Sequence, residues 1–136
     1  MLSNDTFVNM TKVRNICLAQ NSIEKIPEDL LNNTFRLKHL DLTSNMLKQI
    51  PEELLKNVAQ LETLHLAQNS IEKIPEDLLT NTLRLHHIDL TSNLIKQIPE
   101  ELLKKTAQLE TLLISHNCLT NFNGAFLSKT PKLKEL

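Results

Sequence analysis

Most of the reactive chemistry in this sequence sits in five histidines, His39, His65, His86, His87 and His116. Asp41, His65 and Asp89 follow one another at steps of 24 residues. If those positions fall on adjacent strands in register, a carboxylate lies about 4.8 Å to either side of the imidazole. Such a column suits a metal ion or a group titrating near neutrality. Against that, His39 and His87 repeat one position, no two ligands share a helix, and exposed histidine on a sheet is ordinary. No metal site and no cofactor are expected, and the histidines read as contacts on a binding surface.

Other reactive pairs fail for want of a partner. Glu28/Asp29 and Glu100/Glu101 recur where a helical turn would begin, and there the backbone dipole accounts for them. Ser115 and His116 lack a third, orienting group. The single glycine, Gly124, leaves no loop able to cradle a phosphate. The chain is therefore read as non-enzymatic. Cys17 and Cys118 lie near opposite ends with no metal-type spacing, so neither a disulfide framework nor a zinc site is indicated. Three sequons, at Asn4, Asn9 and Asn32, offer N-glycosylation acceptors and tilt the reading toward an extracellular location.

The elements that position these residues follow from composition and period. In 136 residues there are 28 leucines, but no tryptophan or tyrosine, so the core is aliphatic and the length suits a single domain. Fifteen basic residues against 16 acidic ones, a net charge of -1 and no run of like charge argue against nucleic-acid and anionic-membrane partners. No apolar stretch is long enough for a membrane span, and no signal-peptide pattern follows Met1.

Asn21, Asn45, Asn69, Asn93 and Asn117 recur every 24 residues, as do Val13, Leu37, Leu61, Leu85, Leu109 and Leu133, and Pro27, Pro51, Pro75 and Pro99. One unit, from Leu61, reads LETLHLAQNSIEKIPEDLLTNTLR and fits L-x-x-L-x-L-x-x-N-x-I-x-x-I-P-x-x-L-L. A longer period is superimposed, since residues 18–64 match the segment 48 further on at 39 of 47 positions, the mark of a duplicated two-unit block. The alternating leucines of L-x-x-L-x-L predict a half-buried strand. A single such strand cannot bury its apolar face, so units must stack. Proline followed by acids predicts one or two helical or 3-10 turns on the opposite side, imperfectly capped because isoleucine precedes the proline.

On these residues the chain resembles the leucine-rich-repeat proteins, and the 24-residue unit is similar to the class found in Toll-like receptors and secreted insect immune proteins. The end units LSNDTF and FNGAF fit the same resemblance. The resemblance implies an α/β solenoid, a curved coil with a parallel concave sheet and short helical or 3-10 turns on the convex side. One domain is expected over residues 1–136, with a partial unit at 1–12, five repeats at 13–132 and a partial unit at 133–136. It also implies that the ladder asparagines point inward to bond backbone, and that a protein ligand docks on the concave face.

Carried over position by position, that face includes Arg14, Lys38, His39, Asp41, Glu62, Thr63, His65, His86, His87, Asp89, Glu110 and His116. The favoured reading is a recognition module of an extracellular receptor or secreted immune or adhesion protein. The alternative is a cytoplasmic scaffold or regulatory subunit of a signalling complex. With neither cap evident, a fragment is expected, together with end-to-end self-association of the uncapped coil.

Overall fold

The computed structural model describes residues 1–121 and 124–136. Five strands, β1 (Asn15–Cys17), β2 (His39–Asp41), β3 (Thr63–His65), β4 (His87–Asp89) and β5 (Thr111–Leu113), form one sheet in chain order. All neighbours are parallel, and each residue pairs with the one 24 further on, as in Leu40 with Leu64 and Leu64 with Ile88. Glu135 extends the pattern through a parallel bridge to Thr111. Ladder bonds continue past the strand ends, with Leu42 N–H donating to His65 O at 2.8 Å and Ser44 N–H to Ala67 O at 2.9 Å.

The sheet forms because the middle residue of each strand has somewhere to go. Ile16, Leu40, Leu64, Ile88 and Leu112 are all buried while their neighbours face outward. They meet Leu37, Leu61, Leu85 and Leu109 from the start of each strand and Leu47, Ile71 and Ile95 from its far side. Each fully buried leucine or isoleucine contributes about 2 kcal/mol relative to exposure. That stabilisation exists only when the next unit covers it.

The return path departs from the sequence expectation in detail. After each Ile-Pro, the backbone makes separate i to i+3 turns: Leu30 N–H to Pro27 O, Asn32 N–H to Asp29 O and Thr34 N–H to Leu31 O, at 3.1 to 3.2 Å. Among the described residues the only helix is a 3-10 segment, Gly124–Lys129, in the last unit. Two causes are visible. Isoleucine ahead of the proline supplies no capping oxygen. At the far end, the buried Thr34 hydroxyl donates to Leu31 O at 2.9 Å, tying down a carbonyl that a continuing helix would use. Thr82 and Thr106 repeat that bond to Leu79 and Leu103 at 3.0 Å. Phe122 and Asn123 of FNGAF lie outside the described residues.

The asparagine ladder joins the turns. Asn93 accepts from Ile71 N–H at 3.0 Å and donates to Leu66 O, Leu90 O and Thr91 O at 2.9, 3.1 and 3.4 Å. Asn45, Asn69 and Asn117 make the same set with the preceding unit, including acceptance from Ile23, Leu47 and Ile95 N–H. Asn21 is exposed and donates only to Leu18 O and Ala19 O of its own unit. The residue before each asparagine takes the left-handed conformation: Gln20, Ser44, Gln68, Ser92 and His116 have φ between 55° and 57°. None is glycine, so each turn holds a side chain in a region that costs it about 1 kcal/mol.

Candidate functional site

Two of every three strand residues project from the concave side and align across strands into rows. The row just ahead of the strands runs Arg14, Lys38, Glu62, His86, Glu110 and Lys134, one residue per unit. Lys38 Nζ donates to Glu62 Oε1 at 2.7 Å, and Lys134 Nζ to Glu110 Oε2 at 2.9 Å. Each ammonium holds its carboxylate below the usual value of 4.5, with His86 adding to both effects. His86 thus lies between two carboxylates that are already paired on their far sides.

The next row contains Asn15, His39, Thr63, His87 and Thr111 in direct register. His39 Nδ1 meets Thr63 Oγ1 at 2.8 Å. The third row runs Cys17, Asp41, His65, Asp89 and Leu113, so the sheet does set His65 between two aspartates. The side chains turn to other partners. Asp41 and Asp89 each accept their own turn's N–H, from Thr43 and Thr91 at 2.9 Å. The His65 ring faces His87, with centroids 4.8 Å apart and planes tilted 42°. Partial burial, followed by the neighbouring His65, pushes the His87 imidazole below its ordinary 6.5. Among the described residues, no group of three His, Cys, Asp or Glu side chains is placed to hold a metal.

His116 stands apart, exposed after β5 at the left-handed turn position. Cys17 and Cys118 are free and exposed. Of the sequon residues, Asn4 and Asn9 are exposed. Asn32 is half-buried, donates to Asp29 Oδ1 at 2.6 Å and accepts from Asn57 Nδ2 at 3.2 Å. A glycan there would take one of the two Nδ2 hydrogens and compete for the donation to Asp29, while Oδ1 stays an acceptor. No helix among the described residues is long and apolar enough to cross a membrane. Beside the first residues of the sequence an open cavity of about 990 Å³ is lined by Met1, Leu2, Leu18, Ile23 and Ile26.

Sequence reasoning missed the buried threonine column, Thr34, Thr82, Thr106 and Thr130. Its signal was present, since these residues share the 24-residue step, with Val58 standing in for one of them.

Comparison with known proteins places this geometry. The family profile of BspA-type leucine-rich-repeat regions matches residues 1–134 in 6 copies. No match is found among curated protein sequences. Among solved structures, a chain of the Drosophila Toll–Spatzle complex superimposes with a TM-score of 0.93 and 26% identity, over 99% of this chain and 20% of that one. The APL1 leucine-rich-repeat domain gives 0.86 and 21%, over 95% and 34% of the two chains. A chain of the TLR13–ssRNA13 complex gives 0.83 and 21%, over 90% and 17%. This chain thus spans about a third or less of each structure's length. Because TLR13 is seen with a single-stranded RNA, the coil itself does not exclude nucleic acid; that expectation rests on the balanced charge alone. From its sheet, its asparagine ladder and the profile that covers nearly its whole length, the chain belongs to the leucine-rich-repeat proteins, in the BspA-type family.

Proposed function

We propose that the chain is a protein-recognition segment that holds its partner on the concave sheet, within an extracellular or cell-surface receptor or a secreted recognition protein. The observation that carries this is the division of labour in the strands. The buried residues build the coil, while the rows around His65 and His86 form a polar surface of mixed sign. Mixed rows of this kind give orientation and partner choice through charge complementarity. The Toll–Spatzle and LRIM1/APL1C complexes, whose chains share the coil, support a protein as the partner. The sequons at Asn4 and Asn9, both exposed, support passage through the secretory route.

The test is photo-crosslinking of protein secreted from a eukaryotic host. A crosslinking residue replaces Thr63 on the concave side or Glu76 on the convex side, and each protein is incubated with extracellular fluid from the source organism. A discrete adduct from position 63 and none from position 76 is expected. Adducts only from the convex position would overturn the face assignment, and absence of glycan at both Asn4 and Asn9 would remove the support for secretion.

A further inference from the structure

The loops that lead from the convex turns into the strands have a composition unlike the rest of the surface. Residues 31–36, 55–60, 79–84 and 103–108 read LNNTFR, LKNVAQ, LTNTLR and LKKTAQ, without one acid. Residues 7–12 and 127–132, FVNMTK and LSKTPK, follow the same rule. The acids gather just before them on the convex side, at Asp29, Glu53, Asp77 and Glu101. Lys56 pairs back to Asp29 and Glu53 at 3.8 and 3.6 Å, and Lys104 pairs with Glu101. Arg36 and Arg84 are exposed and, among the described residues, make no ion pair.

Next to those two arginines stand two of the most exposed large apolar side chains among the described residues, Phe35 at 51% and Leu83 at 59%. A neutral, exposed Ala59 lies between them in the same row. Phe35 and Leu83 are two units apart, which at one strand spacing per unit is about 10 Å. Seven residues of α-helix span about the same length, at 1.5 Å each. The edge therefore presents an apolar pair at the spacing of helix positions i and i+7, with a free guanidinium beside each.

We propose that this lateral edge is a second docking surface, distinct from the concave sheet, for an acidic amphipathic helix of a protein partner. Apolar residues at i and i+7 would cover Phe35 and Leu83 while carboxylates meet Arg36 and Arg84 as charge-assisted forks. The acid rows decide between this occupant and a membrane. A helix touches a strip about 10 Å wide and can keep to the acid-free loops. A flat anionic bilayer laid on the same edge also meets the neighbouring acid row, where Lys56 offsets Asp29 and Glu53 but exposed Asp77 makes no ion pair among the described residues.

The probe is a fluorescein-labelled helical peptide with leucines at i and i+7 and glutamates on the flanking positions, read by anisotropy against a scrambled peptide of the same composition. Saturable binding of the ordered peptide alone is expected, weakening as salt rises. Phe35→Ala with Leu83→Ala is expected to weaken it about tenfold, the scale of losing apolar anchors, and Arg36→Gln with Arg84→Gln to flatten the salt dependence. Glu62→Gln with His65→Gln, on the concave sheet, is expected to leave it unchanged, which separates this surface from the one proposed above. All four edge residues are exposed, and circular dichroism checks that the variants keep the fold. No saturable binding, equal affinity for the scrambled peptide, or insensitivity to the Phe35 and Leu83 changes overturns the proposal. Binding to phosphatidylserine vesicles in place of the peptide overturns it in favour of a membrane contact.

Discussion

Replacing Asn93 with alanine removes four hydrogen bonds, and the structure says which of them matter. Leu90 O keeps a second donor in Asn117 Nδ2, Leu66 O keeps Asn69 Nδ2, and Thr91 O keeps the N–H of Gln68. Ile71 N–H has no other acceptor and sits in a fully buried residue. One orphaned buried donor costs about 1–3 kcal/mol, and the weakening of three shared carbonyls adds about 1 kcal/mol. We expect a loss of about 3 kcal/mol for Asn93→Ala. Asn93→Asp should be at least as damaging, since it keeps an acceptor for Ile71 but turns an oxygen toward three carbonyls. Asn21→Ala, at the exposed first rung, should cost less than about 1 kcal/mol, because Leu18 O retains Asn45 and no backbone donor is orphaned. Urea unfolding with an unchanged m-value measures all three. Equal costs for Asn21→Ala and Asn93→Ala would refute the reasoning, since stability would then not depend on the bond to the preceding unit.

Three further outcomes follow from particular atoms. Ser92→Gly relieves a side chain held at φ 57° and should stabilise by about 0.5–1 kcal/mol by thermal unfolding; the same change at solvent-exposed Glu72, outside the left-handed turn, should not. Thr82→Val should cost only about 1 kcal/mol, because Leu79 O keeps the Thr82 N–H and Val58 already occupies the equivalent place; a loss several times larger would mean the hydroxyl does more than this bond. His87 has its folded-state value depressed below 6.5, so the unfolded chain binds its proton first. The stability that this provides is present above 6.5 and is lost as pH falls through the lowered value. His87→Gln should flatten that acid limb, while the further loss below 4.5 from Glu62 and Glu110 remains.

Much of the architecture could be read from the spacing because stacking turns a linear period into a spatial one. Once Leu40, Leu64 and Ile88 are identified as equivalent, the register that sets His65 between Asp41 and Asp89 follows by counting. The period gives rows of residues, but not the directions of their side chains. Asp41 and Asp89 turn to the N–H groups of Thr43 and Thr91, and His65 tilts toward His87, because a turn amide two residues away is a nearer partner than a histidine across the sheet. The convex turns were legible in outline, as short 3-10-type turns, but the residues that close them were not. Proline and acids mark where a helix begins, whereas the buried Thr34 and Thr82 hydroxyls that close the turn resemble ordinary polar positions.

The rungs of the ladder have a consequence for how the chain finds its native alignment. Asn45, Asn69, Asn93 and Asn117 each join a unit only to the one before it, through bonds between residues 22 and 27 apart. Residues 18–64 and the segment 48 further on are nearly the same, so a unit's docking surface fits the neighbour of its copy almost as well as its own. Shape complementarity cannot number the units; the covalent tether does so, by making the near neighbour cheaper in loop entropy than the one beyond it. Between separate molecules that tether is missing, and at high concentration during refolding the coil's characteristic error is strand exchange, one chain completing another's sheet with a block that belongs two turns away.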